Sequence, residues 1–162
     1  MLFRSGLRVA VVAAPAAFVN RFELTKQTAD MFTGVLPQML ACEFIRRGYF
    51  ASRLPGLRQL YQRKRDTLDE ALRRHIPDGR WVRPKGGFFI WLELPGGLDA
   101  QELFQAAMAA GVAFVPGPAF CLDGAGRSAA RLSYSREPEA LLAQGAEVLG
   151  KLALKACTQN LR

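Results

Sequence analysis

One aromatic and aliphatic run, residues 87–94, constrains the fold of this chain more than any other feature. Gly86 and Gly87 stand at its start and the Pro-Gly-Gly of residues 95–97 follows it, and both are turn signals. A segment this short and this apolar is typical of a strand in the core. Such a strand needs neighbouring strands to pair with and helices to cover it.

A long amphipathic helix is predicted before this strand, over residues 56–75. Its leucines recur on one face, and its other face pairs Asp69 with Arg73 and Glu70 with Arg74. Each pair has the acid four residues before the base, an order that stabilises a helix by about 0.2–0.5 kcal/mol. The apolar face is therefore available to cover the strand.

Another helix and two short strands are predicted after the aromatic run. Asp99 and Glu102 have the spacing of a capping box, and Gly111 stands where the helix should end. Two strands and a final helix then follow, at residues 112–115, at 130–134 and from near Pro138 onward. This order predicts an α+β unit with a small sheet covered by helices.

The first 50 residues have a different pattern. Residues 7–14 are a continuous apolar run ended by Pro15, typical of a strand buried on both faces of a parallel sheet, and two helices are predicted at 16–50. The strand needs neighbours that this chain barely supplies. We therefore expect a remnant of a larger domain at residues 1–50 and a small domain, including the long helix, at 51–162.

Composition argues against several kinds of partner. The net charge is +8, but the arginines are spread along predicted helices and alternate with acidic residues, which disfavours nucleic-acid binding. No apolar run approaches the roughly 20 residues that span a bilayer, so no membrane segment is expected. A reduced, cytoplasmic setting without a metal site fits the few, widely spaced ligand residues, Cys42, Cys121, Cys157 and His75.

Four phrases along the chain carry a resemblance to a known family. They are Ser-Gly-Leu-Arg-Val at 5–9, Arg-Pro-Lys-Gly-Gly-Phe-Phe-Ile-Trp at 83–91, Gly-Val-Ala-Phe-Val-Pro-Gly at 111–117 and Arg-Leu-Ser-Tyr at 131–134. In this order they resemble the fold type I aminotransferases that depend on pyridoxal 5'-phosphate (PLP). The branch they resemble most contains the 2-aminoadipate, kynurenine and valine-pyruvate enzymes, and the match covers nearly the whole chain.

The resemblance implies both a fold and a function. The α+β unit would be the small C-terminal domain within the α/β PLP-transferase fold, preceded by a remnant of the large PLP-binding domain. The complete protein would use PLP to transfer an amino group between an amino acid and a 2-oxo acid, and would be a homodimer. The side chain of the substrate cannot be read from these phrases.

The first phrase implies where the cofactor binds. In the family, a lysine that forms the Schiff base with PLP stands seven residues before an arginine that binds the PLP phosphate. Arg8 occupies the arginine position, and the lysine position falls on Met1. The resemblance thus implies that the chain as given is inactive, because by motif no other lysine takes the role. Surface positions are expected for all of them: Lys26, Lys64, Lys85, Lys151 and Lys155.

The last phrase implies where the substrate binds. In the family, the arginine at the position of Arg131 receives the α-carboxylate of the substrate. The guanidinium group suits this role because it is a planar fork of N–H donors that stays protonated and matches a planar carboxylate. The alternative is an arginine on an edge strand that points into solvent. Thr33 matches a segment that approaches the active site of the partner subunit, or it simply caps a helix. His75 is expected only to end its helix.

A second reading of the same resemblance is a regulator. Transcription factors of the GntR/MocR type join a DNA-binding domain to an aminotransferase-like effector domain, and residues 44–49 and 58–61 resemble those proteins too. The turn and strand at residues 86–91 fit the enzymes better. The upstream sequence would decide between the two.

Overall fold

The computed structural model describes residues 7–121 and 125–160, except for the side chains of residues 159 and 160. The chain divides into two compact units between Pro55 and Gly56. We call the residues up to Pro55 the N-terminal unit and those from Gly56 onward the C-terminal unit.

Two helices make up most of the N-terminal unit, α1 (Ala16–Ala29) and α2 (Val35–Arg46), which confirms the prediction for this region. Pro37 lies in the first turn of α2, where its missing N–H removes no intrahelical hydrogen bond. Neither helix contains a buried residue. Large apolar side chains lie exposed along both, among them Phe18, Phe22, Leu36 and Met39.

The prediction of a strand at residues 7–14 is wrong for this structure. Residues 8–15 form neither helix nor strand, and Val11 is 90% exposed. A strand is stabilised by hydrogen bonds to its neighbours, and no strand among residues 7–121 and 125–160 pairs with this segment. The apolar run therefore stands without the sheet that it would need.

The long helix α3 (Tyr49–His75) begins at Tyr49 and not at Gly56 as predicted, so Pro55 and Gly56 both lie inside it. Proline removes one backbone donor and disfavours a helix interior, so the sequence pattern favours a start after it. Both predicted ion pairs are confirmed, Asp69 with Arg73 at 3.2 Å and Glu70 with Arg74 at 3.0 Å.

The described part of the C-terminal unit contains an antiparallel sheet in the order β1–β3–β2. Its strands are β1 (Phe89–Glu93), β2 (Val115–Pro116) and β3 (Ala129–Ser133), and the two further helices are α4 (Ala100–Ala109) and α5 (Glu139–Asn160). The strands predicted at residues 87–94 and 130–134 are confirmed by β1 and β3. The strand predicted at residues 112–115 is mostly wrong, because residues 112–114 form neither helix nor strand and only Val115 belongs to the two-residue β2. The small sheet covered by helices is confirmed.

The two faces of this sheet differ, because side chains alternate along a strand. One face is fully buried and packs with the helices into a single core: Ile90, Leu92, Ala130, Leu132, Leu72, Leu103 and Leu149. Each fully buried Leu or Ile stabilises the fold by about 1.5–3 kcal/mol. The other face, which we call the open face, carries Phe89, Trp91 and Arg131, all at least partly exposed.

Local signals set the ends of α4. Asp99 caps it as predicted, since its Oδ1 accepts hydrogen bonds from the backbone N–H groups of Gln101 at 2.7 Å and Glu102 at 3.3 Å. Gly111 follows the helix with φ +79°, a left-handed conformation that favours glycine. Across the described ranges, no helix is long and apolar enough to cross a bilayer, and no cluster of side chains could hold a metal ion.

Candidate functional site

Arg131 lies in the middle of the open face. It stands on the central strand β3, opposite Trp91 of β1 and Val115 of β2. The alternative of an edge-strand arginine is wrong, because β3 has a strand on each side and Arg131 is only partly exposed. Its role in binding a carboxylate stays a prediction.

Two aromatic rings flank the guanidinium of Arg131. Its Cζ lies 4.2 Å from the ring centroid of Phe89 and 4.3 Å from that of Phe120, each over the face of the ring. Phe120 ends a short 3-10 turn, Gly117–Phe120, and forms a T-shaped contact with Trp91 with ring centroids 5.8 Å apart. A cation over an aromatic face is attracted to it, so the two rings help to hold the guanidinium in place.

The Nε of Arg131 is buried and has no hydrogen-bond partner among the described atoms. A buried donor without a partner costs about 1–3 kcal/mol, and more when the group is charged. Buried donors without a partner are rare in native structures, so this one indicates that Arg131 has a role beyond packing. The ligand that the fork fits best is an anion with two oxygens in one plane.

The turn that leads into β1 is tied to α3 and β3. Asp66 accepts hydrogen bonds from Arg83 at 2.6 Å and from Arg65 at 2.7 Å, and Arg65 also donates to the carbonyl of Pro84 at 3.1 Å. The Tyr134 hydroxyl donates to the Gly86 carbonyl at 3.3 Å. These bonds hold the turn next to Phe89, one of the two rings on Arg131.

The charges in this network suit their roles. Burial acts to raise the pKa of Asp66, but hydrogen bonds from Arg83 and Arg65 lower that pKa on balance, so the carboxylate remains charged at neutral pH. Burial raises the pKa of Tyr134, which keeps its hydroxyl protonated as a donor. Asp66 therefore holds the turn as a charged acceptor, and Tyr134 holds it as a neutral donor.

Lys64 corrects one of the sequence expectations. It was expected on the surface, but it is only 9% exposed, and its Nζ donates to the carbonyls of Ser135 and Arg136 at 3.2 Å each. Burial is tolerated because the backbone just after β3 offers two acceptors to the ammonium group. The other lysines, Lys26, Lys85, Lys151 and Lys155, are exposed as expected.

The N-terminal unit holds the remaining predicted residues. Arg8 is exposed and has φ +52°, a left-handed conformation that is uncommon outside glycine. Thr33 precedes α2 but does not cap it, since the N-cap is Gly34; the Thr33 hydroxyl accepts a hydrogen bond from Lys26 at 3.3 Å. Met1, the position expected for the lysine, lies outside the described residues.

Sequence reasoning missed the two rings around Arg131. Phe89 stands two residues before Trp91 in the predicted strand, so alternation could have placed it on the same face as Arg131. Phe120 gave no such signal, because its position depends on how the turn after β2 folds over the sheet. The pairing of Asp66 with Arg83, 17 residues away, was also not predictable from helical spacing.

Comparison with known proteins gives the family. The profile of the family described as aminotransferase class I and II matches residues 4–149. A 2-aminoadipate transaminase of Thermus thermophilus is 42% identical over 151 residues, which are 93% of this chain and 38% of that protein. An uncharacterized HTH-type transcriptional regulator of Bacillus subtilis is 31% identical over 131 residues, 80% of this chain and 27% of the regulator.

A solved structure shows the same fold. The alpha-aminoadipate aminotransferase of Thermus thermophilus, complexed with N-(5'-phosphopyridoxyl)-L-leucine, matches with a TM-score of 0.81 and 39% identity. The match covers 95% of this chain and 40% of that one, so the chain spans well under half the length of the proteins it resembles. From the profile, the identity and the fold together, the chain belongs to the aminotransferase class I and II family.

Proposed function

We propose that this chain supplies substrate-binding and cofactor-binding residues to a PLP-dependent aminotransferase that acts on an amino acid and a 2-oxo acid. The observation that carries the proposal is the setting of Arg131 in the middle of the open face. The rings of Phe89 and Phe120 flank its guanidinium, and its buried Nε has no hydrogen-bond partner among the described atoms. The family and the pyridoxyl ligand of the related structure support it.

In this proposal Arg131 binds the carboxylate of each substrate. The amino acid and the 2-oxo acid both carry a carboxylate next to the reacting carbon, so one arginine can orient both. The fork donates two charge-assisted hydrogen bonds, each worth about 1.5–3 kcal/mol. Because the rings lie close to the guanidinium, they also limit the directions in which the rest of the substrate can extend.

Arg8 would hold the phosphate of PLP. The residue fits this group by its chemistry, since an exposed guanidinium can donate two hydrogen bonds to phosphate oxygens. When bound, PLP supplies the electron sink for the transfer of the amino group. In this proposal the chain contributes Arg8 toward the cofactor phosphate and Arg131 toward the substrate carboxylate.

We expect no transaminase activity from the 162 residues alone. Lys64 is engaged by two carbonyls, Lys26 by Asp30 at 2.7 Å and Lys151 by Glu147 at 2.6 Å. Lys85 and Lys155 are exposed. The test is to incubate the chain with PLP, mixed amino acids and a 2-oxo acid and to assay product; turnover, with a specific lysine adduct after borohydride reduction, would contradict this.

Carboxylate binding can be tested without turnover. Pyruvate binding to the chain is measured by saturation-transfer NMR, and we expect Arg131→Lys, which keeps the charge but loses the fork, to weaken binding about tenfold or more. Arg136→Lys is the matched control, because the Arg136 side chain is 77% exposed. Equal binding by wild type and Arg131→Lys would refute the assignment of Arg131.

The complete protein is proposed to be a homodimer in which Thr33 approaches the site of the partner subunit. The position of Thr33 in the segment between α1 and α2, held by hydrogen bonds from Lys26 and Gln38, supports a fixed contact. Cross-linking through a cysteine at position 33 in the complete protein tests it. A monomer in solution at assay concentrations would exclude it.

The second candidate is the effector domain of a transcriptional regulator, which the Bacillus subtilis relative favours. The turn and strand at residues 86–91 fit the enzymes better, but they do not decide between the two candidates. The reading frame upstream of this segment does: a DNA-binding domain there would favour the regulator, and the remainder of a large PLP-binding domain without one would favour the enzyme.

A further inference from the structure

We propose that Phe120, together with Phe89, makes the Arg131 site selective for planar carboxylates over tetrahedral oxyanions. This inference rests on the proposed function, since it concerns the same arginine, but it assigns a role to a residue outside the family phrases. It also names the class of anion that the site rejects.

The two rings limit the direction from which a ligand can reach the guanidinium. The faces of the Phe89 and Phe120 rings flank it at 4.2 and 4.3 Å from Cζ, and its Nε is buried. Arg131 is nevertheless partly exposed. In this proposal a ligand meets the two Nη groups, at the outer edge of the fork, and enters between the two rings.

The shape of the anion then decides whether it fits. A carboxylate places both oxygens in the plane of the fork and nothing above or below it. A phosphonate or phosphate that makes the same two hydrogen bonds has further substituents out of that plane, on the sides where the rings lie. The face of an aromatic ring is its electronegative side, so an anionic oxygen there is repelled.

Phe120 is the ring that can be varied to test this selectivity. Phe89 lies within β1, whereas Phe120 lies at the end of the short turn Gly117–Phe120 and is 45% exposed. Its edge contact with Trp91 holds it in place from outside the core. Its side chain can therefore be changed without removing a core residue.

The test measures two probes, pyruvate and methylphosphonate, on the chain labelled with 15N-arginine. The Nε–H resonance of Arg131, assigned by its loss in Arg131→Lys, reports binding of either anion. Wild type is expected to prefer pyruvate by about tenfold or more. In Phe120→Ala the preference should fall to about threefold or less, mainly because methylphosphonate binds more tightly.

Two further variants test whether the preference for pyruvate depends on the aromatic ring of Phe120 itself. Phe120→Leu keeps an apolar side chain but removes the aromatic face, and it should give an intermediate preference. Leu141→Ala, which truncates a side chain of similar exposure (48%) on α5, should keep the wild-type preference. Thermal unfolding of each variant shows whether it is folded.

The outcomes distinguish this inference from the proposed function. If wild type binds pyruvate but binds methylphosphonate equally well, or if both Phe120 variants keep the wild-type preference, the selectivity proposal is wrong and the carboxylate site stands. If wild type binds no pyruvate at Arg131, the carboxylate site is wrong and the selectivity proposal falls with it.

Discussion

Similar apolar side chains are exposed in the N-terminal unit of this chain and buried in its C-terminal unit. In the N-terminal unit, α1 and α2 contain no buried residue although both carry Phe and Leu side chains. In the C-terminal unit, α3, α4 and α5 pack on one face of the sheet and bury a continuous core. Hydrophobic residues stabilise a fold only where a second layer covers them, and only the C-terminal unit has that layer.

The largest expected contrast is between two leucines. Leu72 is completely buried in the C-terminal core, while Leu36 on α2 is 66% exposed. Leu72→Ala should lower the free energy of unfolding by about 2–5 kcal/mol through lost burial and a new cavity, and Leu36→Ala by about 0.5 kcal/mol or less. Urea unfolding followed by tryptophan fluorescence measures this, since Trp81 and Trp91 both lie in the C-terminal unit.

Circular dichroism reports the helices of both units, and it serves as the control on that measurement. If either probe shows equal losses of stability for Leu72→Ala and Leu36→Ala, the predicted difference between the two units is wrong.

A smaller contrast is expected between two lysines. Lys64 of the C-terminal unit is largely buried and donates to two backbone carbonyls, so Lys64→Ala removes two charge-assisted hydrogen bonds and should cost about 1–3 kcal/mol. Lys26 forms an exposed ion pair with Asp30, and Lys26→Ala should cost about 0.5 kcal/mol or less. The same urea titrations compare them, and a Lys64→Ala variant as stable as wild type would show that the ammonium group is dispensable.

The helix caps give a third contrast. Asp99 caps α4 with two hydrogen bonds, whereas α2 begins at Gly34 without a side-chain cap. Asp99→Ala should destabilise the C-terminal unit by about 1 kcal/mol. Hydrogen exchange of the amides of Gln101 and Glu102 locates the loss, because these N–H groups lose their acceptor; unchanged protection at both would contradict the capping role.

The same residue predicts a pH dependence. The hydrogen bond from Arg127, and then that from the N–H of Gln101, hold the pKa of Asp99 below its usual value of about 3.9. The folded state then binds fewer protons than the unfolded state, so this stabilisation is present above that value and is lost as the pH falls through the lowered pKa. Asp99→Asn should therefore reduce the loss of stability in acid, and an acid titration as steep as that of wild type would argue against it.

The C-terminal unit could be predicted well from the sequence, because its signals are local. The turn glycines around β1, the cap at Asp99 and the ion pairs of α3 each depend on residues a few positions apart. The strand expected at residues 7–14 failed for the opposite reason: a strand exists only with partners, and a run of side chains does not say whether the partners are present.

The candidate site was predictable only in part. Arg131 came from a family phrase, but its flanking by Phe120 depends on the path of the turn after β2. Lys64 looked like a surface residue because its two acceptors lie 71 and 72 residues further along the chain. Contacts of this kind belong to the packing of elements and not to their periodicity.

Arg131 and Leu132 point to opposite faces of β3, so burial of Leu132 in the core requires one particular register of β3 against its neighbouring strands. A slip of one residue against β1 and β2 would turn Leu132 outward and bring the guanidinium among the buried leucines and isoleucine. An unpaired buried charge costs several kcal/mol, so the misaligned sheet would not persist as a folded species. Misaligned molecules unfold instead of surviving with a reversed arginine, and every folded molecule presents Arg131 to the same side.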